Sequence, residues 1–428
     1  MKTRILNVCM AAALAVMATG CSSDGPEDGM PLRKYDEPSW QDTPYRSITM
    51  DAGTRAVADR TGGFSFDFFR EAMKLTDGNS AVSPASMAIA MAMVANGDSG
   101  ESRDDVLRLL GFNPAGCDIS QLNDYCRIML TELPKLDGRT VCRFANSLWH
   151  RPGLKVTESF SGVLGNVYSS DEIAIDPNGE KGMRNINRWV GNYTGGMIPE
   201  FLKWPLNNTD IFLINATYFK GRWATEFNVE ASRDGDFRNL DGSVSKATFM
   251  HADRRFGYAK TDRAEAISLP FGSGNFELTA LLPTQETGFR EFLRSVSYGE
   301  FKALAELMRS GQPAYIALSF PKFQTETESD GDMTEVMKGL GLRDAFIRGF
   351  NAMVEGQDAL INGILQAVNI KVDEKGVEAA AATGIGMATS PGPDQSEVVE
   401  LNFDRPFLYV IRETSTGTIL FMGMVTGF

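Results

Sequence analysis

Side chains able to do covalent or acid–base chemistry are sparse in this 428-residue chain, and they do not assemble into a catalytic set. His150 and His251 are its only histidines. Neither stands in an HExxH pair or beside a GxSxG elbow, so the signatures of zinc proteases and serine hydrolases are absent. The commonest general base is nearly missing. Asp234-Gly-Asp236 and Asp330-Gly-Asp332 open like calcium loops, but no ligands continue at the spacing of the twelve-residue loop, and both read as turns. Of five cysteines, Cys117, Cys126 and Cys142 follow no metal-like spacing and read as buried thiols. The expectation is no metal, no cofactor and no enzyme.

What the chain does offer is backbone. From Asp373 to Ser390 no proline interrupts, so every N–H there could join a central ladder. Laid out as a strand, residues 377 to 389 put Val377, Ala379, Ala381, Thr383, Ile385, Met387 and Thr389 on one face. Glu378, Ala380, Ala382, Gly384, Gly386 and Ala388 fall on the other, so one face is apolar and the other small or charged. At roughly 3.3 Å per residue such a strand spans about 40 Å, enough to run down a large sheet. The competing reading is an alanine-rich helix over Glu378 to Thr383. It is too short to persist unaided, and Gly384 and Gly386 stop it.

The elements around this stretch change character along the chain. Apolar spacing at Phe64, Phe68 and Met73 predicts a helix, and Ser83-Pro84 opens an apolar helix through Ala95. After Arg143 strands dominate: Ile211 to Phe219 is a run buried on both faces, with further strands at Glu277 to Leu282 and Ala314 to Phe320. Phe407 to Arg412 and Ile419 to Val425 make a terminal hairpin across Ser415-Thr416-Gly417. No repeat or low-complexity block breaks 62 to 428, so one α+β domain is expected there. The hydrophobic fraction, 43%, is ample for a large core. A formal net charge of -13 leaves no basic field for phosphates, which excludes nucleic acid as an expected partner.

Residues 1 to 20 read as an export signal: Lys2 and Arg4 precede an apolar run too short to span a membrane. Thr19-Gly20-Cys21 resembles a bacterial lipoprotein signal, which makes Cys21 the candidate lipid anchor; Ala18 departs from that pattern, and an ordinary signal peptide cut nearby is the alternative. Residues 21 to 61, rich in Pro, Gly, Asp and Ser, read as a flexible tether, and the acidic start near Asp24 weakly resembles surface-export tags. The expected location is a bacterial cell envelope, the outer membrane and its surface above all, with secretion as the alternative.

Blocks from about 62 to 428 resemble the serpin family. They include Asn79-Ser80-Ala81-Val82-Ser83-Pro84-Ala85-Ser86, Phe144-Ala145-Asn146-Ser147-Leu148-Trp149, Ile186-Asn187-Arg188-Trp189-Val190, and Asn215-Ala216 with Phe219-Lys220-Gly221-Arg222-Trp223. Pro321-Lys322-Phe323 and Leu340-Gly341-Leu342 follow. Asp373-Glu374-Lys375-Gly376-Val377-Glu378-Ala379-Ala380-Ala381-Ala382, with Asp404-Arg405-Pro406-Phe407 downstream, is the most telling. The order and spacing of the blocks, rather than any one of them, carry the likeness.

That resemblance implies helices packed on a large five-stranded mixed sheet, two smaller sheets and an exposed reactive-centre loop from about 376 to 402. It implies a protease inhibitor that acts as a suicide substrate, with a hinge at Glu374, Gly376, Val377, Glu378, Ala379, Ala380, Ala381 and Ala382. Target proteases, serine-type or cysteine-type, would be the partners of a monomer touching membrane only through its N-terminal lipid. Ser83, Ser86, Asn215 and Trp223 match residues that support opening of the sheet. Gln366 stands where the family often has a histidine; an amide can donate and accept as an imidazole does, but without a protonation switch. The family's spacing from Glu374 puts the bait bond after Ser390, where Pro391 makes a poor scissile partner. Thr389-Ser390 is therefore preferred, then Met387-Ala388 and Ala388-Thr389. No Arg or Lys lies between Lys375 and Arg405, which disfavours trypsin-like targets and suits elastase-like or subtilisin-like ones. The rival expectations are a non-inhibitory surface lipoprotein of the same fold and, more remotely, a glycosidase with paired carboxylates.

Overall fold

The computed structural model describes residues 40–116, 118–196, 198, 200–327, 332–361, 363–377 and 398–428. Its helices are α1 (Ala52–Ala72), α2 (Pro84–Ala95), α3 (Glu101–Leu109), α4 (Ile119–Glu132), α5 (Glu158–Tyr168), α6 (Gly179–Tyr193), α7 (Phe289–Ser295), α8 (Tyr298–Ser310) and α9 (Thr334–Gly339). The first nine strands are β1 (Ser80–Val82), β2 (Thr140–His150), β3 (Asp171–Ile173), β4 (Ile211–Arg222), β5 (Arg233–Arg238), β6 (Val244–Lys260), β7 (Ala264–Phe271), β8 (Phe276–Pro283) and β9 (Ala314–Pro321). The rest are β10 (Phe323–Glu326), β11 (Phe350–Val354), β12 (Gln357–Ala359), β13 (Asn369–Asp373), β14 (Gly376–Val377), β15 (Val399–Asn402), β16 (Phe407–Glu413) and β17 (Ile419–Val425).

The helix-first, strand-later order matches the α+β expectation. The five expected strands of the main sheet run in the order β10, β13, β4, β2, β3, with β14 lodged between β13 and β4. The two smaller sheets are not separate. β6 is 17 residues long; its first residues pair with β5, its middle with β9 and its last four with β7. Through β6, and through β1 between β17 and β10, hydrogen bonding joins fifteen strands into one network among the described residues, with β11 and β12 apart.

The folded chain starts earlier than Gly62, which corrects the tether expected over 21 to 61. Asp51 caps α1 by accepting the Thr54 N–H at 2.7 Å, and Val57, Ala58 and Thr61 are already buried. Ile48 is buried as well, so Trp40 to Met50 lies against the fold. α2 is buried on nearly all sides, begins with Pro84 after the Ser83 cap, and packs behind β4 and β17. No described helix is long and apolar enough to cross a membrane.

Candidate functional site

β4 is paired unevenly. On one side it meets β2 through eleven consecutive residue pairs, from His150 opposite Ile211 to Thr140 opposite Gly221. On the other side, among the described residues, its partner is β14 alone, with Gly376 opposite Arg222 and Val377 opposite Gly221. β14 in turn pairs with β13, Val372 opposite Val377 and Asp373 opposite Gly376. β4 and β13 share no direct pairing. The sheet is thus split along most of β4, and two residues close it at one end.

Several residues fix that closed end. Val377 is 1% exposed. Gly376 has φ +150°, and a Cβ there would lie 1.9 Å from the Gly221 carbonyl oxygen, so only glycine passes. The buried Trp223 indole donates to the Asp373 carbonyl at 2.8 Å, its backbone N–H donates to the Lys375 carbonyl, and its ring stacks on Phe271 at 4.6 Å. The Phe227 N–H donates to the Glu374 carbonyl. The Glu374 carboxylate accepts from Ser232 Oγ at 2.8 Å and Lys322 Nζ at 3.3 Å. Burial alone would raise its pKa, but the Ser232 hydroxyl, its own backbone and Lys322 together hold it below the usual glutamate value. Neighbouring Asp373 goes the other way, raised by burial first and by the Glu374 charge as well, against the backbone N–H of Lys375.

At the far end of the split lies a cavity of about 340 Å³. Met87, Ala90, Met91 and Val94 of α2 form its floor, Ile211, Leu213 and Asn215 of β4 one wall, and Ile364 and Gln366 the other. Here the structure places the expected support residues. Ser83 Oγ donates to the Leu420 carbonyl at 2.7 Å, and the Ser86 hydroxyl donates to the Asn215 carbonyl at 3.2 Å, tying α2 to β4. Gln366 grips the Ser83 backbone at both ends: its Oε1 accepts the Ser83 N–H at 2.9 Å and its Nε2 donates to the Ser83 carbonyl at 2.8 Å. The Asn215 side chain does not meet Gln366; its amide donates to Asn146 Oδ1 on β2 at 2.6 Å. Four of the five are therefore neighbours around the far end of the split, while Trp223 stands at the other.

Glu378 to Ala382 and the bait candidates Met387, Ala388, Thr389 and Ser390 lie outside the described residues, as does Cys21. The chain reappears at Val398, and β15 pairs in parallel with β9. Cys126 and Cys142 are buried and free, and burial pushes the Cys126 thiol up to about 12. Cys117 is outside the described residues. Asp234 accepts from Thr248, and Asp236 pairs with Lys246. No cluster of metal-ligating side chains occurs among the described residues.

Among the described residues, β14 enters between β13 and β4 for two rungs, and β4 has no further partner on that edge. A family model described as Serpin (serine protease inhibitor) matches residues 59–427. The chain belongs to the serpin family, whose members are in general protease inhibitors rather than enzymes. It is 26% identical to an uncharacterised serpin-like protein of Thermococcus kodakarensis, over 98% of this chain and 96% of that one. Iripin-3 of Ixodes ricinus is 30% identical over 80% of this chain and 87% of its own. Among solved structures, the native state of the thermophilic serpin Tengpin superposes with a TM-score of 0.78 at 24% identity, covering 92% of this chain and 99% of that one. Arabidopsis AtSerpin1 gives 0.75 at 25%, covering 88% and 99%.

Proposed function

We propose that this chain traps proteases as a suicide substrate. The protease nucleophile bonds to a carbonyl carbon of the loop between β14 and β15, the peptide C–N bond breaks, and the following residue leaves as a protonated amine. The segment after Val377, still esterified to the enzyme, then enters the split and carries the protease with it. Hydrolysis of that ester by water is the competing step, so insertion must be fast. The observation that supports this reading most directly is β14 itself, which fixes the register of whatever follows. Continuing from Val377 opposite Gly221, each further residue meets the preceding residue of β4, so Thr383, Ile385 and Met387 arrive opposite Asn215, Leu213 and Ile211. Those three β4 residues line the cavity, and they would meet the apolar face of the inserting strand.

The register also bears on the bait. β4 begins at Ile211, so the last rung falls at Met387 and the acyl bond must lie beyond it or at its edge. Thr389-Ser390 is the preferred bond, ahead of Met387-Ala388 and Ala388-Thr389, and elastase-like or subtilisin-like enzymes are the preferred targets. Incubating the protein with both kinds of protease should give a complex that survives boiling in detergent and release a C-terminal fragment beginning at Ser390. Clean cleavage without a complex would instead assign the chain a non-inhibitory binding role. A fragment starting outside 388 to 391 would move the bait.

Anchoring through Cys21 in a bacterial envelope belongs to the same proposal. Palmitate labelling that Cys21→Ala abolishes, with release of the protein from membranes, is the expected result; labelling retained in the variant refutes the anchor.

A further inference from the structure

Residues 40 to 48 cross the closed end of the split. The Trp40 ring lies under two cations of β4, with Arg222 Cζ 4.5 Å and Lys220 Nζ 5.3 Å from its centroid. Trp40 holds φ +52°, a left-handed conformation that a tryptophan keeps only where its surroundings impose it. Next along the segment, Asp42 pairs with Arg139 at 3.5 Å, and Arg139 donates to the carbonyl of Trp223, the residue whose indole holds Asp373. Thr43 Oγ1 accepts the Gly138 N–H at 3.0 Å. The Arg46 N–H donates to the fully buried Asn275, and the Ile48 N–H donates to Ser415 Oγ. Residues 41 to 47 are themselves exposed, so these interactions fasten a surface ribbon whose last residue, Ile48, anchors in the core.

We infer that residues 40 to 48 are a strap that holds the native form against insertion of the uncleaved loop; the inference rests on the insertion reading above. Arg222 and Lys220 alternate with Gly221 along β4, so they project to the face opposite Val377. Arg222 already faces Gly376, and Lys220 is the next rung on that face, the partner that Glu378 would meet on entering. Trp40 and Glu378 therefore compete for the same ammonium group. With the strap in place the first charged rung of the track is covered; cleavage of the loop supplies the driving force that displaces it. A second route, from Asp42 through Arg139 to Trp223, braces the hinge from the side.

The test uses the mature chain with Trp40→Ala, Trp40→Phe and a truncation beginning at Ser47, incubated uncleaved under moderate heat. Residual inhibitory activity gives a half-life, and melting of the product identifies what formed. Trp40→Ala should shorten the half-life about two- to fivefold for each cation–π interaction that it removes, and the truncation should shorten it further. The product should be an uncleaved monomer that melts above the starting material, and Trp40→Phe should keep most of the parental half-life. A half-life equal to the parent's in both the truncation and Trp40→Ala overturns the strap. So does decay into unfolded aggregate, which would mean that the segment only stabilises the fold. If the parent chain itself shows no rise in melting temperature after loop cleavage, the insertion reading falls and takes the strap with it, an outcome read in a different sample.

Discussion

The hairpin of β16 and β17 and the split beside β4 are made of similar residues and hold opposite kinds of order. β16 has neighbours on both edges, pairing with β8 from Leu408 opposite Leu281 to Glu413 opposite Phe276, and with β17 on its other side. Every residue of β8 and β17 is buried. β4 is largely apolar too, yet among the described residues it has a full partner on one edge and two residues on the other. Finished pairing makes the first region a scaffold. On the insertion reading, unfinished pairing makes the second a reservoir, because backbone groups there can still gain a ladder. On the proposed reading, the segment that would complete the sheet is tied at both ends, by β14 and by β15, and cutting the loop frees one end and speeds its entry.

The contrast is broken most severely by charging the first rung. Val377 is 1% exposed opposite Gly221, so Val377→Arg must either bury an unpaired guanidinium or expel β14 from the sheet, and either blocks the strand that would follow. The ratio of cleaved loop to detergent-stable complex should rise tenfold or more while the protein stays folded; an unchanged ratio sinks the insertion mechanism. Next in size is the effect of cutting the tie. About ten new ladder bonds at roughly 0.5 to 1.5 kcal/mol each should raise the melting temperature on loop cleavage by about 10 °C or more. Equal melting of intact and nicked forms would mean that the split does not accept the loop.

The scaffold should answer differently. Leu408→Ala, at a site 1% exposed, should lower stability by about 2 to 5 kcal/mol and shift intact and nicked forms alike, leaving the partition ratio unchanged. The smallest effect is expected from acid. The depressed pKa of Glu374 means that its carboxylate contributes stability above the ordinary glutamate value, about 4.5, which is lost as pH falls through the folded value. Asp373, raised by burial, acts in the opposite sense and offsets part of this. The half-life of uncleaved inhibitor should therefore be flat from neutral pH to about 5 and shorten modestly below about 4. In Glu374→Gln that acid step should disappear.

Much of this was legible along the chain. The apolar run at Ile211 to Phe219 announced a strand of the main sheet, although Ile211 to Leu213 and Asn215 are only half-buried beside the split. Two features were not. The first half of α1 carries Gly53, Thr54, Arg55, Asp59 and Arg60 among few apolar residues, so its period is faint, and its start is fixed by the Asp51 cap rather than by hydrophobic spacing. The strap is invisible because Trp40, Asp42 and Thr43 have no pattern of their own; their partners lie some ninety to one hundred and eighty residues away. Gln366 lies beside Ser83 with its bonds going to backbone, while Asn215 turns to Asn146, a choice set by the β2–β4 register.

On the proposed insertion, the register with β4 imposes an arithmetic of parity on the loop. Because strand side chains alternate, removing one residue between Val377 and Met387 would turn Ile385 and Met387 outward and offer the cavity Gly384, Gly386 and Ala388 in their place. Removing two would restore the faces and only shorten the journey, by about 6.6 Å of the roughly 36 Å from Arg222 to Ile211. Loops in this scaffold can therefore change length gradually only in even steps, while an odd step abolishes the fit at once.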